Sequence, residues 1–276
     1  MIGFAPAKIN LGLFITGKRS DGFHSLESCF LPIQWQDVIE VHKRTEPGLT
    51  LQVSGIPIPG ATEDNLVQRA YALLQSRYPI GGVEAHLLKA IPMGAGLGGG
   101  SSDAVCMLKL MNNLWDLKLS DEEGLEIAAQ LGSDCPFFWL SQPSLVTGRG
   151  EHLSAMDIGF LETMYITIVH PGVHISTKAA FSAIQPEPST MEWSSLFTRP
   201  IEEWKNFLRN DFTKGIAAQK PVVNDVLHAL RSSGAAYAQM TGTGSACYGI
   251  FSNEEEALAA HARSERQGWL SFSGQI

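Results

Sequence analysis

Several features that define other protein classes are scarce or missing in this sequence. The 276 residues contain only four cysteines, widely spread and without a C-x-x-C pair (Cys29, Cys106, Cys135 and Cys247). This argues against a disulfide framework and against a zinc site. No apolar run approaches the ~20 residues of a membrane-spanning helix. The first residues lack a charged start followed by a long apolar core, so no signal peptide is expected. We therefore expect a cytoplasmic protein with no membrane partner.

Positive charge is also in deficit. The formal net charge is -8, and only 17% of the residues are charged. Nucleic-acid-binding proteins are usually basic, so no nucleic-acid partner is expected. A nucleotide enzyme stays possible because a phosphate site needs only local donors. The length and the 44% hydrophobic content support one or two domains with a sizeable core.

Glycine, by contrast, is concentrated in one stretch. Five of the seven residues from Gly94 to Gly100 are glycine, and apolar residues follow at helical spacing (Ala104, Leu108 and Met111). Glycine allows backbone conformations in which N–H groups point inward. A helix that opens directly behind such a loop adds unpaired N–H groups and a partial positive charge. The stretch therefore predicts a phosphate-binding loop.

Three kinds of phosphate site compete for this loop. A Walker loop is excluded because no Gly-Lys-Ser/Thr follows. The spacing of Gly94, Gly96 and Gly99 matches the dinucleotide fingerprint, but residues 112–119 lack the strand with a terminal acid that an oxidoreductase of that fold requires. The third kind is a phosphotransferase, which needs a cation and a carboxylate beside the phosphate loop. Lys8 and Asp134 are the candidates.

Both candidates also have ordinary structural explanations. Residues 8–15 alternate as a strand with Lys8 and Asn10 on one face, so Lys8 is either functional or a solvated lysine at a strand end. Asp134 precedes Cys135-Pro136, where an aspartate often caps a helix that starts with proline. A turn-rich loop over residues 17–24 carries Phe23 and His24, either as binding residues or as a hairpin tip.

Periodicity outlines the remaining elements. In the first half it shows an apolar run at 28–35 and predicts strands at 38–42, 49–53, 83–88 and 145–150. It also predicts helices at 65–78 and 120–131, with Asn65 and Ser120 as their N-caps. In the second half it predicts strands at 164–169, 237–240, 246–251 and 269–272, and helices at 176–184, 201–212, 222–232 and 253–266. Residues 55–64 are predicted as a Pro/Gly-rich loop. The second half is typical of helices on a small antiparallel sheet, an α+β arrangement.

Three blocks of the sequence resemble the GHMP small-molecule kinases. They are Pro6-Ala7-Lys8-Ile9-Asn10-Leu11 with residues 17–26, Pro92–Ser102 with residues 132–136, and Met240–Ser245. The resemblance implies an α+β fold of two domains with the active site in the cleft. An N-terminal nucleotide-binding α/β domain would cover residues 1–158, and a C-terminal ferredoxin-like α+β domain residues 159–276.

The same resemblance implies ATP-dependent phosphorylation of an alcohol. Asp134 would accept the proton of the attacking hydroxyl, with Lys8 beside it. Mg²⁺ would bridge phosphate oxygens, and no protein ligand for it is assigned. The implied ATP-binding residues are Pro92, Met93, Gly94, Ala95, Gly96, Leu97, Gly98, Gly99, Gly100, Ser101 and Ser102.

The first block, with its Asp-Gly-aromatic-His, implies a cytidine-tagged sugar alcohol as the acceptor. The implied substrate-binding residues are Asn10, Phe23, His24, Thr177, Phe181, Gly242 and Gly244. Position 23 carries phenylalanine where the family pattern has tyrosine, which preserves stacking but loses a hydroxyl. Phe181 has a core aromatic as its alternative explanation. A kinase of another alcohol, of the mevalonate or homoserine type, and a catalytically silent nucleotide sensor remain as alternatives. We expect a monomer or a weak homodimer.

Overall fold

The computed structural model describes residues 1–58 and 65–276, which form two compact units. The first unit comprises residues 1–8, 35–93 and 98–142, and the second comprises residues 9–34, 94–97 and 143–276. Strands β1 (Ile2–Lys18) and β2 (His24–Arg44) contribute residues to both. The predicted division at residue 158 follows chain order, and it stays a prediction. Residues 59–64 of the predicted Pro/Gly-rich loop lie outside the described residues.

The first unit contains a sheet built on the later half of β2. Strand β3 (Leu49–Gly55) runs parallel to β4 (Gly82–Lys89), and β4 pairs antiparallel with β2, from Val38 opposite Leu88 to Arg44 opposite Gly82. Successive residues of β4 alternate between buried and exposed after its first two positions. This is the period-two pattern that predicted the strand, and it turns one face of β4 toward the core.

Four helices complete the first unit: α1 (Leu66–Arg77), α2 (Gly99–Leu114), α3 (Asp121–Leu131) and α4 (Cys135–Leu140). The predicted caps are confirmed. The Asn65 side chain accepts a hydrogen bond from the backbone N–H of Val67 at 2.9 Å, and Ser120 and Glu123 form a reciprocal capping box. Helix α2 packs against α1 and α4, so its N-terminus is held by a buried helical layer.

The second unit contains two sets of antiparallel strands. Strand β5 (Ser144–Gly148) pairs with the early part of β2 and with β6 (His152–Ala155). Strands β7 (Tyr165–His170), β8 (Tyr237–Met240), β9 (Cys247–Phe251) and β10 (Leu270–Gln275) form a four-stranded sheet in the order β10-β7-β9-β8. Every neighbouring pair in this sheet is antiparallel, as expected for the second half.

Helices α5 (Thr177–Ala183), α6 (Phe212–Gln219), α7 (Val222–Ser232) and α8 (Glu254–Arg266) belong to the second unit. They and the sheet share one apolar core, which includes Phe212, Val226, Met240, Phe251 and Ala257. The α+β class is therefore confirmed. Within the described residues, no helix is both long and apolar enough to span a membrane.

The prediction of a helix over residues 201–212 is wrong. A short 3-10 helix covers Ile201–Asn206, and α6 begins only at Phe212. Strand β1 explains the break: the N–H of Leu13 donates to the carbonyl of Arg209, and the N–H of Asp211 donates to the carbonyl of Leu13. These backbone groups are taken by a strand and cannot close helical turns. The apolar run at 28–35 and the strand predicted at 38–42 are parts of one strand, β2.

Candidate active site

The glycine stretch has the geometry of an anion-binding loop. Gly94, Gly96 and Gly98 have φ angles of 64°, 81° and 72°, in the left-handed region that favours glycine. Helix α2 begins immediately after them at Gly99, and its first N–H groups have no acceptors within the helix. A Cβ at Gly98 would lie 2.7 Å from the ring of Phe138 and 3.1 Å from Cγ of Lys8. Only glycine fits at this position.

Lys8 and Asp134 form an ion pair in the first unit. Nζ of Lys8 lies 3.7 Å from Oδ2 of Asp134, with the lysine side chain 4% and the aspartate side chain 35% exposed. Burial lowers the pKa of Lys8 from its usual value, and Asp134 opposes that shift. The predicted convergence of this pair is confirmed, and the solvated-lysine alternative for Lys8 is wrong.

The capping alternative for Asp134 is also not realised. Asp134 occupies the N-cap position of α4, but its side chain makes no capping hydrogen bond to the helix, all of whose residues are described. Its carboxylate instead lies by the Lys8 ammonium and remains partly open to solvent. A carboxylate beside a buried cation can accept a proton from a hydroxyl group.

A second glycine turn, formed by Thr241–Ser245, contacts the glycine stretch through the backbone within the second unit. A Cβ at Gly96 would lie 2.2 Å from the carbonyl oxygen of Thr241, and one at Gly242 would lie 2.8 Å from Cα of Gly96. The hydroxyl of Thr241 lies 3.1 Å from the carbonyl of Gly96, to which it can donate. Gly242 and Gly244 have positive φ angles of 55° and 84°. The two motifs singled out in the sequence therefore meet.

Asn10 is buried in the second unit and held by hydrogen bonds. Its Nδ2 donates to Oγ of Ser28 at 3.0 Å, and its backbone N–H donates to Oγ1 of Thr241 at 3.0 Å. The hydroxyl of Ser28 in turn donates to the carbonyl of Gly12. These contacts fix the amide of Asn10 in one orientation. Its role in substrate binding stays a prediction.

His24 and Phe181 belong to a group of aromatic side chains in the second unit. Their ring centroids are 5.3 Å apart, and the ring of Phe181 packs edge-on against Phe212 at 4.8 Å. Phe23 is 52% exposed, and the guanidinium of Arg149 lies 4.9 Å from its ring centroid. Phe181 thus has both a core contact and a contact with a candidate binding residue. A ring beside an imidazole, with a second exposed ring in the preceding residue, suits a planar base.

The other predicted substrate residue, Thr177, begins α5. Its hydroxyl lies 3.3 Å from that of Thr243, in the turn between Gly242 and Gly244. Asn210 is a residue of this region that sequence reasoning missed. Its Nδ2 donates to the carbonyls of Met240 and Gly242 at 2.9 and 2.8 Å, so one buried amide shapes the second glycine turn. Asn210 follows Arg209 in an irregular segment, and no local pattern marks it.

A buried ionic cluster behind the glycine stretch was also missed. Lys89 Nζ donates to Oδ2 of Asp37 and, at 2.7 Å, to Oδ2 of Asp103. Burial raises the pKa of Asp103 to about 7, while Lys89 opposes that rise. None of the three residues lies within a predicted strand or helix: Asp37 precedes the strand at 38–42, Lys89 follows the strand at 83–88, and Asp103 precedes the helical spacing that begins at Ala104. The only signal in the sequence is a charged residue beside or within an apolar run, because lysine and aspartate are seldom buried unless they are paired.

The described residues contain no cluster of three or more histidine, cysteine, aspartate or glutamate side chains able to hold a metal ion. All four cysteines are free thiols and buried.

Family models and curated relatives match this chain over most of its length. The model of the GHMP kinases N terminal domain matches residues 65–142, and that of the GHMP kinases C terminal region matches residues 194–267. The chain is 45% identical to 4-diphosphocytidyl-2-C-methyl-D-erythritol kinase of Bacteroides fragilis strain YCH46 over 258 residues, 93% of this chain and 94% of the relative. It is 40% identical to the kinase of the same name from Porphyromonas gingivalis, over 99% of both chains.

Solved structures show the same relationship. A crystal structure of 4-(cytidine 5'-diphospho)-2C-methyl-D-erythritol kinase is similar to this chain with a TM-score of 0.84 and 28% identity, covering 99% of this chain and 98% of the other. The mevalonate kinase of Methanococcus jannaschii shares the fold, with a TM-score of 0.71 at 14% identity, over 100% and 98% of the two chains.

Proposed function

The chain belongs to the GHMP kinases and, among them, to the 4-diphosphocytidyl-2-C-methyl-D-erythritol kinases, and from this membership we propose a role for each part of the site. The protein is an ATP-dependent kinase with an alcohol group as acceptor. It phosphorylates the 2-hydroxyl of 4-diphosphocytidyl-2-C-methyl-D-erythritol, giving the 2-phosphate and ADP. This places it in the non-mevalonate route to isoprenoid precursors. The observation that carries its chemistry is the ion pair of Lys8 and Asp134 beside Gly98.

The phosphates of ATP bind along Pro92–Ser102. The open N–H groups of the first turn of α2 supply donors, and the helix dipole adds partial positive charge at the same end. Mg²⁺ would enter with ATP and would supply positive charge that offsets the negative charge on the transferred group. The left-handed glycines support this assignment because they let the backbone approach an anion without a Cβ in the way.

Asp134 accepts the proton of the substrate hydroxyl. As the hydroxyl oxygen bonds to the γ-phosphorus, the bond from that phosphorus to the bridging oxygen of ADP breaks, and the hydroxyl proton passes to the carboxylate of Asp134. The Lys8 ammonium, 3.7 Å from the carboxylate, stabilises negative charge on the attacking oxygen and the phosphoryl group. Positioning and electrostatics carry the rate, since no covalent enzyme intermediate is needed.

The second unit supplies the groups that recognise the cytidine-tagged alcohol. His24 hydrogen-bonds the edge of the cytosine, and Phe23 and Phe181 stack on its faces. The contact between His24 and Phe181 supports this assignment, because it brings a donor–acceptor ring and a stacking ring together. Thr177, Gly242 and Gly244 contact the diphosphate and sugar alcohol, and Asn10 supports the acceptor side.

An assay of ADP release tests this function. We expect turnover with the cytidylylated substrate and none above background with methylerythritol phosphate, mevalonate or homoserine at the same concentration. Equal turnover with mevalonate or homoserine would contradict the cytidine assignment. An Asp134→Asn variant should lose turnover by orders of magnitude while its affinity for an ATP analogue stays near wild type, and near-normal turnover would remove Asp134 from the role of base.

A further inference from the structure

The buried cluster of Asp37, Lys89 and Asp103 links the two ends of the glycine stretch. The three residues are at most 2% exposed. Asp37 lies in β2, Lys89 ends β4, and Asp103 lies in the first turns of α2. An ammonium between two carboxylates far from water is costly unless its geometry is well satisfied. The cluster therefore calls for an explanation beyond general stability.

The entry end of the stretch is held by Asp37. Its Oδ1 accepts hydrogen bonds from the backbone N–H groups of Ala90 and Ile91, at 2.6 and 2.9 Å, while its Oδ2 accepts from Lys89. Ala90 and Ile91 are the residues that lead into Pro92 and the glycines. One carboxylate therefore orients the backbone where the chain leaves β4.

The exit end is held by Lys89 through Asp103. Nζ of Lys89 donates to Oδ2 of Asp103 at 2.7 Å, four residues after α2 begins. A Cβ at Gly99 would lie 3.3 Å from the same Nζ and 3.1 Å from Cγ2 of Ile91. The ammonium therefore lies next to the first residue of α2, close to the backbone N–H groups of the first helical turn.

We propose that Lys89 is a positioning residue for the nucleotide. Bridging Asp37 and Asp103, it holds the entry and exit ends of the glycine stretch at a fixed spacing, so that the first turn of α2 is oriented before ATP binds. Groups that are oriented in advance bind more tightly because less ordering is needed on binding. The proposal rests on the binding of ATP at Pro92–Ser102 and not on the identity of the alcohol.

Variants of Asp103 test this proposal while leaving the bond between Lys89 and Asp37 in place. Asp103→Ala removes the link to α2, and we expect the dissociation constant of a non-hydrolysable ATP analogue to rise about tenfold, near the lower end of the effect of a hydrogen bond to a charged group. Asp103→Asn retains an acceptor oxygen, so its dissociation constant should stay within about threefold of wild type. The KM for the alcohol should change less than the KM for ATP in both variants.

Lys109→Met is the matched control. Lys109 lies in the same helix, and its Nζ donates to the carbonyl of Phe138 at 3.1 Å. We expect this variant to lose thermal stability without losing affinity for the ATP analogue. All binding is measured well below the melting temperature of each variant and without alcohol substrate. The measured affinity for the ATP analogue therefore does not depend on which alcohol the enzyme phosphorylates.

Two results would overturn the proposal. One is an Asp103→Ala variant that melts earlier but binds the analogue as wild type does, which would make the cluster purely structural. The other is unchanged analogue binding with a lower kcat, which would place its effect on phosphoryl transfer. Lys89→Met is less suitable as a test, because it leaves two buried carboxylates without a cation and so destabilises the fold.

Discussion

Replacing Lys8 by methionine tests the central electrostatic contact of the site. At 3.7 Å, a pair of unit charges interacts by about 4.5 kcal/mol at an effective dielectric constant of about 20. The Asp134 side chain is 35% exposed, and solvent weakens the pair, so about half of that value is a lower bound. Taking the same range for the interaction of the ammonium with the negative charge that develops on the attacking oxygen and phosphoryl group, the loss of kcat lies between about 40-fold and about 2,000-fold. Methionine is close to lysine in length and is tolerated in apolar surroundings, so the fold should survive.

The assay is steady-state ADP release with saturating ATP and alcohol, beside a direct measurement of ATP-analogue binding. We expect kcat to fall within the stated range while the analogue's dissociation constant changes by less than about fivefold, because the N–H groups of α2 remain in place. Lys109→Met again serves as the control for loss of a half-buried lysine. A Lys8→Met enzyme with kcat within about fivefold of wild type would refute the role given to the ammonium.

Three further predictions concern titration and exposure. Because burial lowers the pKa of Lys8, kcat should decrease at alkaline pH, with an apparent pKa below the usual lysine value of about 10.4. A Lys8→Arg enzyme should not show this decrease in its pH–rate profile. Because the pKa of Asp103 rises from 3.8 to about 7 on folding, its contribution to stability is full at acid pH and lost as pH rises through 7. Urea denaturation should show this decline in wild type and not in Asp103→Asn. Because burial raises the pKa of Cys106 to about 12 and of Cys135 to about 11, a thiol reagent should label these cysteines only after denaturation, and rapid labelling of the native protein would contradict their burial.

Local signals in the sequence predicted much of the fold. The N-caps at Asn65 and Ser120 and the alternation in β4 depend on residues a few positions apart, and all three predictions are confirmed. The helix predicted over 201–212 failed because a distant strand takes the backbone groups of Arg209 and Asp211. Periodicity carries no information about such a partner.

The candidate site likewise combines features that local sequence signals predict with contacts between distant residues that they do not. The glycine stretch by itself predicted a phosphate-binding loop. The pairing of Lys8 with Asp134 was inferred only from resemblance to a family, because 126 positions in sequence separate the two residues. Asp37 lies 52 positions from Lys89, and Asn210 lies 32 positions from the carbonyl of Gly242. Contacts of this kind are set by tertiary packing, so residue spacing could not have identified them.

The contact between the two glycine turns has a consequence for the order of folding. Thr241 reaches Gly96 across 145 positions and Asn10 across 231. During synthesis, Gly96 leaves the ribosome long before the turn that contacts it, and chain closure over such distances is slow. The early chain therefore carries an incomplete glycine stretch, whose final shape forms only once the hairpin of β8 and β9 has formed. ATP added to a refolding reaction should accordingly bind late, after that hairpin has formed.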